Sequence, residues 1–244
     1  MKKFFLLLLI VVLGTFIYLK LQVLGDPNSS FNKTTRYNLG KYPIVRTILG
    51  LHSDGDAREE YLSGNSSMAV EVVRSKNTTI NEQVLNRFVE DVKTYTGRQV
   101  VLFNTEVFPG GTLSDSQLAD VVSGYRHHVV PGQPNLFVIY AEDYVRAGAE
   151  VGKTYHEFGI VLSDKRLREV TAQFPSALGQ FQESTLLHEF GHQLGLGHNE
   201  QPDCLMNAKA EQPSVQDSFS NIFTPTKFCD FELNQLNGIK AGIK

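Results

Sequence analysis

The stretch His188-Glu189-Phe190-Gly191-His192-Gln193-Leu194-Gly195-Leu196-Gly197-His198 satisfies H-E-x-x-H-x-x-G-x-x-H at every specified position. At this chain's composition the pattern arises by chance about 3 times in 100,000, so it outweighs any other feature. His188 and His192 are four residues apart, so on a helix both imidazoles leave one face and can hold one Zn²⁺ with nitrogens at about 2.0 to 2.1 Å. Gly195 lets the backbone leave that helix through a positive φ that a Cβ would penalise, and the returning chain delivers a third imidazole, His198. Three protein ligands leave one tetrahedral position for water, the pattern of a catalytic rather than a structural zinc. Glu189, beside the first ligand, is placed to take a proton from that water and pass it to a leaving amine.

Eight residues past His198 comes Met206, within Cys204-Leu205-Met206-Asn207. A methionine alone reads as core packing; its distance from His198 raises it above that. The helix and this turn together resemble the metzincin metallopeptidases, in which a methionine turn lies beneath the zinc. The short chain, the run from Gly195-Leu196-Gly197-His198 to Cys204-Leu205-Met206-Asn207 and the later Phe228-Cys229 are most similar to archaemetzincins. The resemblance implies a zincin-like α/β (α+β) fold: a mixed twisted sheet with packed helices, an active-site helix, a methionine turn and a C-terminal helix. It implies His188, His192 and His198 as metal ligands, Glu189 as the catalytic group, Met206 as the turn methionine, and a peptide or protein as substrate.

The chain also departs from that pattern. Archaemetzincins carry a cysteine directly after the third histidine and a pair near the end, which together hold a second zinc. Here the positions are Asn199 and, after Cys229, Glu232, so one zinc per chain is expected. Because such chains tie this region together through cysteines at matching places, Cys204 and Cys229 are expected as a disulfide in an oxidising compartment. Asn207 stands where some metzincins place a tyrosine. No cysteine precedes Cys204, which excludes a propeptide cysteine switch in this chain.

Upstream, Met68 to Val73, Val100 to Phe103, Leu136 to Tyr140 and Phe158 to Leu162 read as strands. Thr79 and Glu82 form a capping box ahead of Ile80, Val84, Phe88, Val92 and Tyr95 at helical spacing, with Gly97 as the stop. Ser114 and Gln117 open a second helix that reaches about Tyr125, and a long helix is expected from about Ser184. Strands alternating with helices argue for a mixed α/β sheet with helices packed on it.

At the N-terminus, Met1-Lys2-Lys3 precedes an uncharged apolar run from Phe4 to Leu19, intermediate in length between a secretory signal and a spanning helix. Residues 1–24 are therefore expected to be a signal-anchor or a cleaved signal peptide, with Lys2 and Lys3 on the inner side. The protein is expected outside the cytoplasm, membrane-anchored, or secreted if the segment is cleaved. Residues 25–66, rich in Asn, Ser, Gly and Asp without sustained periodicity, read as a stem, and 67–244 as one catalytic domain. Of the 244 residues 41% are hydrophobic, with 23 basic and 26 acidic side chains and two cysteines. This composition excludes a disordered chain, a disulfide-dense miniprotein and a nucleic-acid partner. Oligomeric state is not legible.

Other candidates read as ordinary. His127-His128 and His156 are expected to be solvated or satisfied locally, with His156-Glu157-Phe158-Gly159 as a strand decoy of the motif. Glu200 and Asp203 read as loop surface, and the N-x-[ST] triplets at Asn28, Asn32, Asn65 and Asn77 carry no expectation. A peptide is expected to add a strand to a sheet edge near Tyr155 to Leu162. The expected function is zinc-dependent endopeptidase. A non-catalytic zinc-stabilised adhesion or binding domain and a zinc hydrolase of a non-peptide amide remain the alternatives.

Overall fold

In the computed structural model the described residues are 2–25, 29–64, 66–145, 150–207 and 224–243, so Asn28 and Asn65 lie outside them. Lys2–Val23 forms one helix, α1, and a π-turn over Phe31–Thr35 leads into three short helices: α2 (Arg36–Gly40), α3 (Pro43–Leu49) and α4 (Arg58–Leu62). The main sheet follows. β1 (Met68–Ser75) pairs in parallel with β2 (Val100–Phe108), after the crossover helix α5 (Glu82–Thr96) that such a pair requires. A two-stranded ribbon joins β3 (Thr112–Leu113) to β5 (Asp143–Tyr144), with α6 (Asp115–Tyr125) and β4 (Asn135–Ala141) between them. β4 pairs with β1 on one side and with β7 (Gly159–Ser163) on the other, both in parallel, and β6 (Gly152–Tyr155) closes the edge antiparallel to β7. The order is β2-β1-β4-β7-β6. α7 (Asp164–Val170), α8 (Leu178–Gln193) and α9 (Asp230–Gly242) complete the chain.

Every residue of β4 is buried, because helices cover both faces of the sheet. The period of two along a strand divides its side chains between two cores. Leu136, Val138 and Tyr140 join Phe88 of α5 and Phe190 of α8, while Phe137 and Ile139 join Leu118 and Val121 of α6. The mixed α/β fold expected from the sequence is therefore present.

Three local readings change. The cap of α5 is Asn81, whose Oδ1 accepts from the N–H groups of Gln83 and Val84, and not the Thr79 box. α8 begins at Leu178, six residues before Ser184; its start has no side-chain cap, and it is buried on all sides from Phe181 to Gly191, so no amphipathic period announces it. The expected stem is helical, and its second half belongs to the core: Tyr61 is 2% exposed and packs edge-on to Phe190. Arg98 donates to the carbonyls of Glu60, Tyr61 and Ser66, and Arg36 pairs with Asp56. Helices of five to seven residues are too short to show a period, so a boundary at Ser67 falls inside the packed unit.

Candidate active site

α8 carries His188 and Glu189, both 2% exposed, one turn before His192. At its end Gly195 takes φ +87°, and Leu196 N–H donates back to Gly191 O. Gly195 is needed twice over, since a Cβ there would also lie 2.7 Å from Arg58 Cδ. The turn brings His198 Nε2 to 3.2 Å from both His188 Nε2 and His192 Nε2, and the three ligand atoms lie within 4.8 Å of one another.

The opposite ring nitrogens explain why Nε2 points inward. His188 Nδ1 lies 2.7 Å from Leu205 O, and His192 Nδ1 lies 3.0 Å from Leu196 O. A carbonyl only accepts, so each Nδ1 donates, and in the neutral imidazole Nε2 keeps its lone pair. A tetrahedral ion at about 2.0 to 2.1 Å from each nitrogen needs ligand atoms about 3.3 to 3.4 Å apart. The observed 3.2 Å separations fit zinc with little adjustment.

Two glycines outside the expected set shape the surroundings. A Cβ on Gly191 would lie 2.4 Å from Met206 Sδ, and one on Gly152 would lie 2.4 Å from Thr185 Cγ2 and 3.4 Å from Glu189 Oε1. The first lets the methionine turn press against bare helix backbone; the second lets the edge strand β6 pass beside Glu189. Gln193, fully buried, donates to the carbonyls of His156 and Gly159 and so ties α8 to the β6–β7 turn. Sequence reasoning had no signal for these three residues, because each occupies an unspecified or unrelated position whose importance comes from what folds against it.

A second cluster holds the backbone of Leu205 and Met206. Cys204 and Cys229 form a disulfide, Cα to Cα 5.2 Å. The fully buried Glu232 accepts from Met206 N–H (2.5 Å) and Asn199 Nδ2 (2.9 Å) at Oε1, and from Cys229 N–H (2.9 Å) and Leu205 N–H (3.2 Å) at Oε2. The ligand atoms of Cys204, Cys229 and Glu232 are close enough to share an ion. The sulfurs, however, are bonded to each other and the carboxylate is saturated with donors.

The remaining histidines are elsewhere. His128 Nδ1 and the N–H groups of His127 and His128 bond to Glu71, as does Asn135 Nδ2. Burial pushes the Glu71 carboxyl up, but these donors outweigh it and hold the group below the usual carboxylate range. His156 lies in the turn after β6 at φ +53° rather than in a strand. Of the two strands in the expected span, β6 is an edge strand and β7 is already paired on both sides; the expected span Tyr155 to Leu162 therefore lies mostly inside the sheet.

No protein-family model and no curated protein matches this chain. Among solved structures it is similar to the archaemetzincin of Methanopyrus kandleri, at 19% identity and a TM-score of 0.53 over 73% of this chain and 98% of that one. The fold is archaemetzincin-like. A zinc-dependent peptidase from Methanocorpusculum labreanum is similar at 15% identity and a TM-score of 0.47, over 69% of this chain and all of that one. The similarity to the Methanopyrus kandleri protein extends over 73% of this chain and leaves the rest outside it.

Proposed function

We propose that this chain is a zinc-dependent endopeptidase with His188, His192 and His198 as metal ligands and Glu189 as general base. The observation that carries this reading is the convergence of three Nε2 atoms, two of them on rings whose Nδ1 is bonded to a backbone carbonyl. Zinc, when bound, supplies Lewis-acid polarisation of a substrate carbonyl and acidification of water. Glu189 Oε accepts a proton from water and returns it to the leaving amine. A peptide lying antiparallel to β6 would bond to the free side of that strand, and Gly152 keeps the strand beside Glu189. The sealed state of the Cys204, Cys229 and Glu232 cluster supports a count of one zinc per chain.

The N-terminal helix completes the proposal. α1 is apolar and buried nowhere, which fits a membrane anchor that leaves the catalytic domain outside the cytoplasm, where the disulfide is stable. Incubation of the purified chain with a peptide library and stoichiometric zinc tests the assignment: cleavage that a chelator abolishes and zinc restores is the expected result. Full zinc occupancy without hydrolysis would instead make it a zinc-stabilised binding domain.

A further inference from the structure

α3 buries Leu49 against the protein and leaves Ile44 75% and Ile48 53% exposed. The two are four residues apart and so share one helix face. Tyr42, 55% exposed, stands at the cap beside Lys41, whose Nζ lies 5.2 Å from its ring. Scattered apolar residues on a surface mean little; these are stacked, and they lie next to α1.

Every residue of α1 from Lys2 to Thr15 is exposed, whereas Phe16, Leu19, Lys20 and Val23 are partly covered, because the last turns of α1 pack against α3. Asn32 Nδ2 donates to Gln22 O at 3.1 Å, which fixes the junction from the other side. At 1.5 Å per residue, Phe4 to Val23 spans about 30 Å, the thickness of a bilayer's hydrocarbon, and Phe16 to Val23 its last 10 Å or about that. α3 therefore touches the outer third of α1, at the boundary of acyl chains and headgroups.

Charge agrees with that depth. Between Pro27 and Ser53 the sequence has four basic residues, Lys33, Arg36, Lys41 and Arg46, and no acidic one, in a chain whose net charge is −3. Arg36 and Arg46 are paired with Asp56 and Glu60, so of the described basic side chains it is Lys41, at the start of the helix, that is assigned to the headgroup phosphates. An aromatic and a lysine flanking an apolar stripe are the composition of an interfacial helix.

We infer that α3 docks on the bilayer, with Ile44 and Ile48 among the acyl chains and Lys41 at the phosphates, so that the catalytic domain is held in one orientation on the membrane instead of swinging on a tether. This rests on the proposed anchoring by α1. The chain has no tryptophan, so single substitutions report depth. The full chain carrying I44W, I48W, L9W or V107W is reconstituted into phosphatidylglycerol–phosphatidylcholine vesicles containing lipids brominated at shallow or deep acyl positions. I44W and I48W should lose fluorescence by at least about threefold with shallow bromines, L9W chiefly with deep ones, and V107W, on the remote sheet edge, with neither. If L9W is quenched while I44W and I48W behave like V107W, the anchor stands and the docking is wrong. Blue-shifted but unquenched emission at 44 and 48 would mean that protein covers the face, which also overturns it. If L9W itself is unquenched, the anchoring reading fails and takes this one with it.

Discussion

Two clusters of metal-binding residue types both bond to the Leu205–Met206 backbone, and they have opposite chemical states. In the histidine cluster the Nδ1 atoms of His188 and His192 are engaged by carbonyls, which leaves the Nε2 electron pairs converging. In the Cys204, Cys229 and Glu232 cluster the electron pairs are used: the sulfurs by a covalent bond, the carboxylate by four N–H donors. Ligand types at ligand distances do not make a metal site when their electron pairs are already committed, as they are in the second cluster. Leu205 joins the two clusters, since its carbonyl accepts from His188 while its N–H donates to Glu232. The sealed cluster therefore does mechanically what a bound ion would do: it holds the methionine turn and, through Leu205, the first histidine ring.

The largest break in this comparison is His192→Ala, which should weaken zinc binding by at least about a thousandfold, remove peptidase activity and lower the melting temperature, because metal binding is coupled to folding. Elemental analysis and a thermal scan with and without chelator measure both. Next is Glu189→Gln, expected to retain one zinc and the fold while turnover falls about a hundredfold or more; undiminished cleavage would remove Glu189 from the mechanism. On the sealed side, Cys204→Ser with Cys229→Ser opens a loop of 25 residues' separation and should cost about 3 to 4 kcal/mol of stability in the chain-entropy model. Zinc should stay at one per chain, and activity should fall more than zinc content, since the histidines lie outside the loop. A second zinc taken up by the reduced parent would show that the sulfurs are ligands held in reserve.

Smaller effects sharpen the link through Leu205. Glu232→Gln places an amide donor against backbone N–H groups and should cost about 2 to 3 kcal/mol, with zinc affinity reduced about tenfold. An unchanged affinity at reduced stability would confine Glu232 to the fold. Asn199→Ala removes one donor to the carboxylate, with an expected loss of about 1 kcal/mol by denaturant titration and no change in zinc stoichiometry.

Much of the site was legible because its chemistry is local. The spacing of His188 and His192 is a property of one helix, and the positive φ at Gly195 a property of one residue. Ser114 and Gln117 form the capping box their spacing implies, again within one turn of chain. Readings failed where a choice depended on distant partners. Asn81 outcompeted Thr79 as cap, His156 turned instead of extending, and β7 rather than β6 lost its open edge.

What the sequence by itself determined is therefore the set of groups whose geometry a single helix or turn dictates: the three converging histidines, the carboxylate beside them, and the strands whose apolar runs must be buried on both faces. The tertiary structure alone decided which surfaces those groups meet. It put Tyr61 of a supposed stem against Phe190, pressed Met206 onto Gly191, brought β6 past Glu189 through Gly152, and drew four donors onto Glu232. Each of these depends on close approach between residues far apart in the chain, and such approach is set by packing volume and hydrogen-bond satisfaction across the whole domain, which no local spacing encodes.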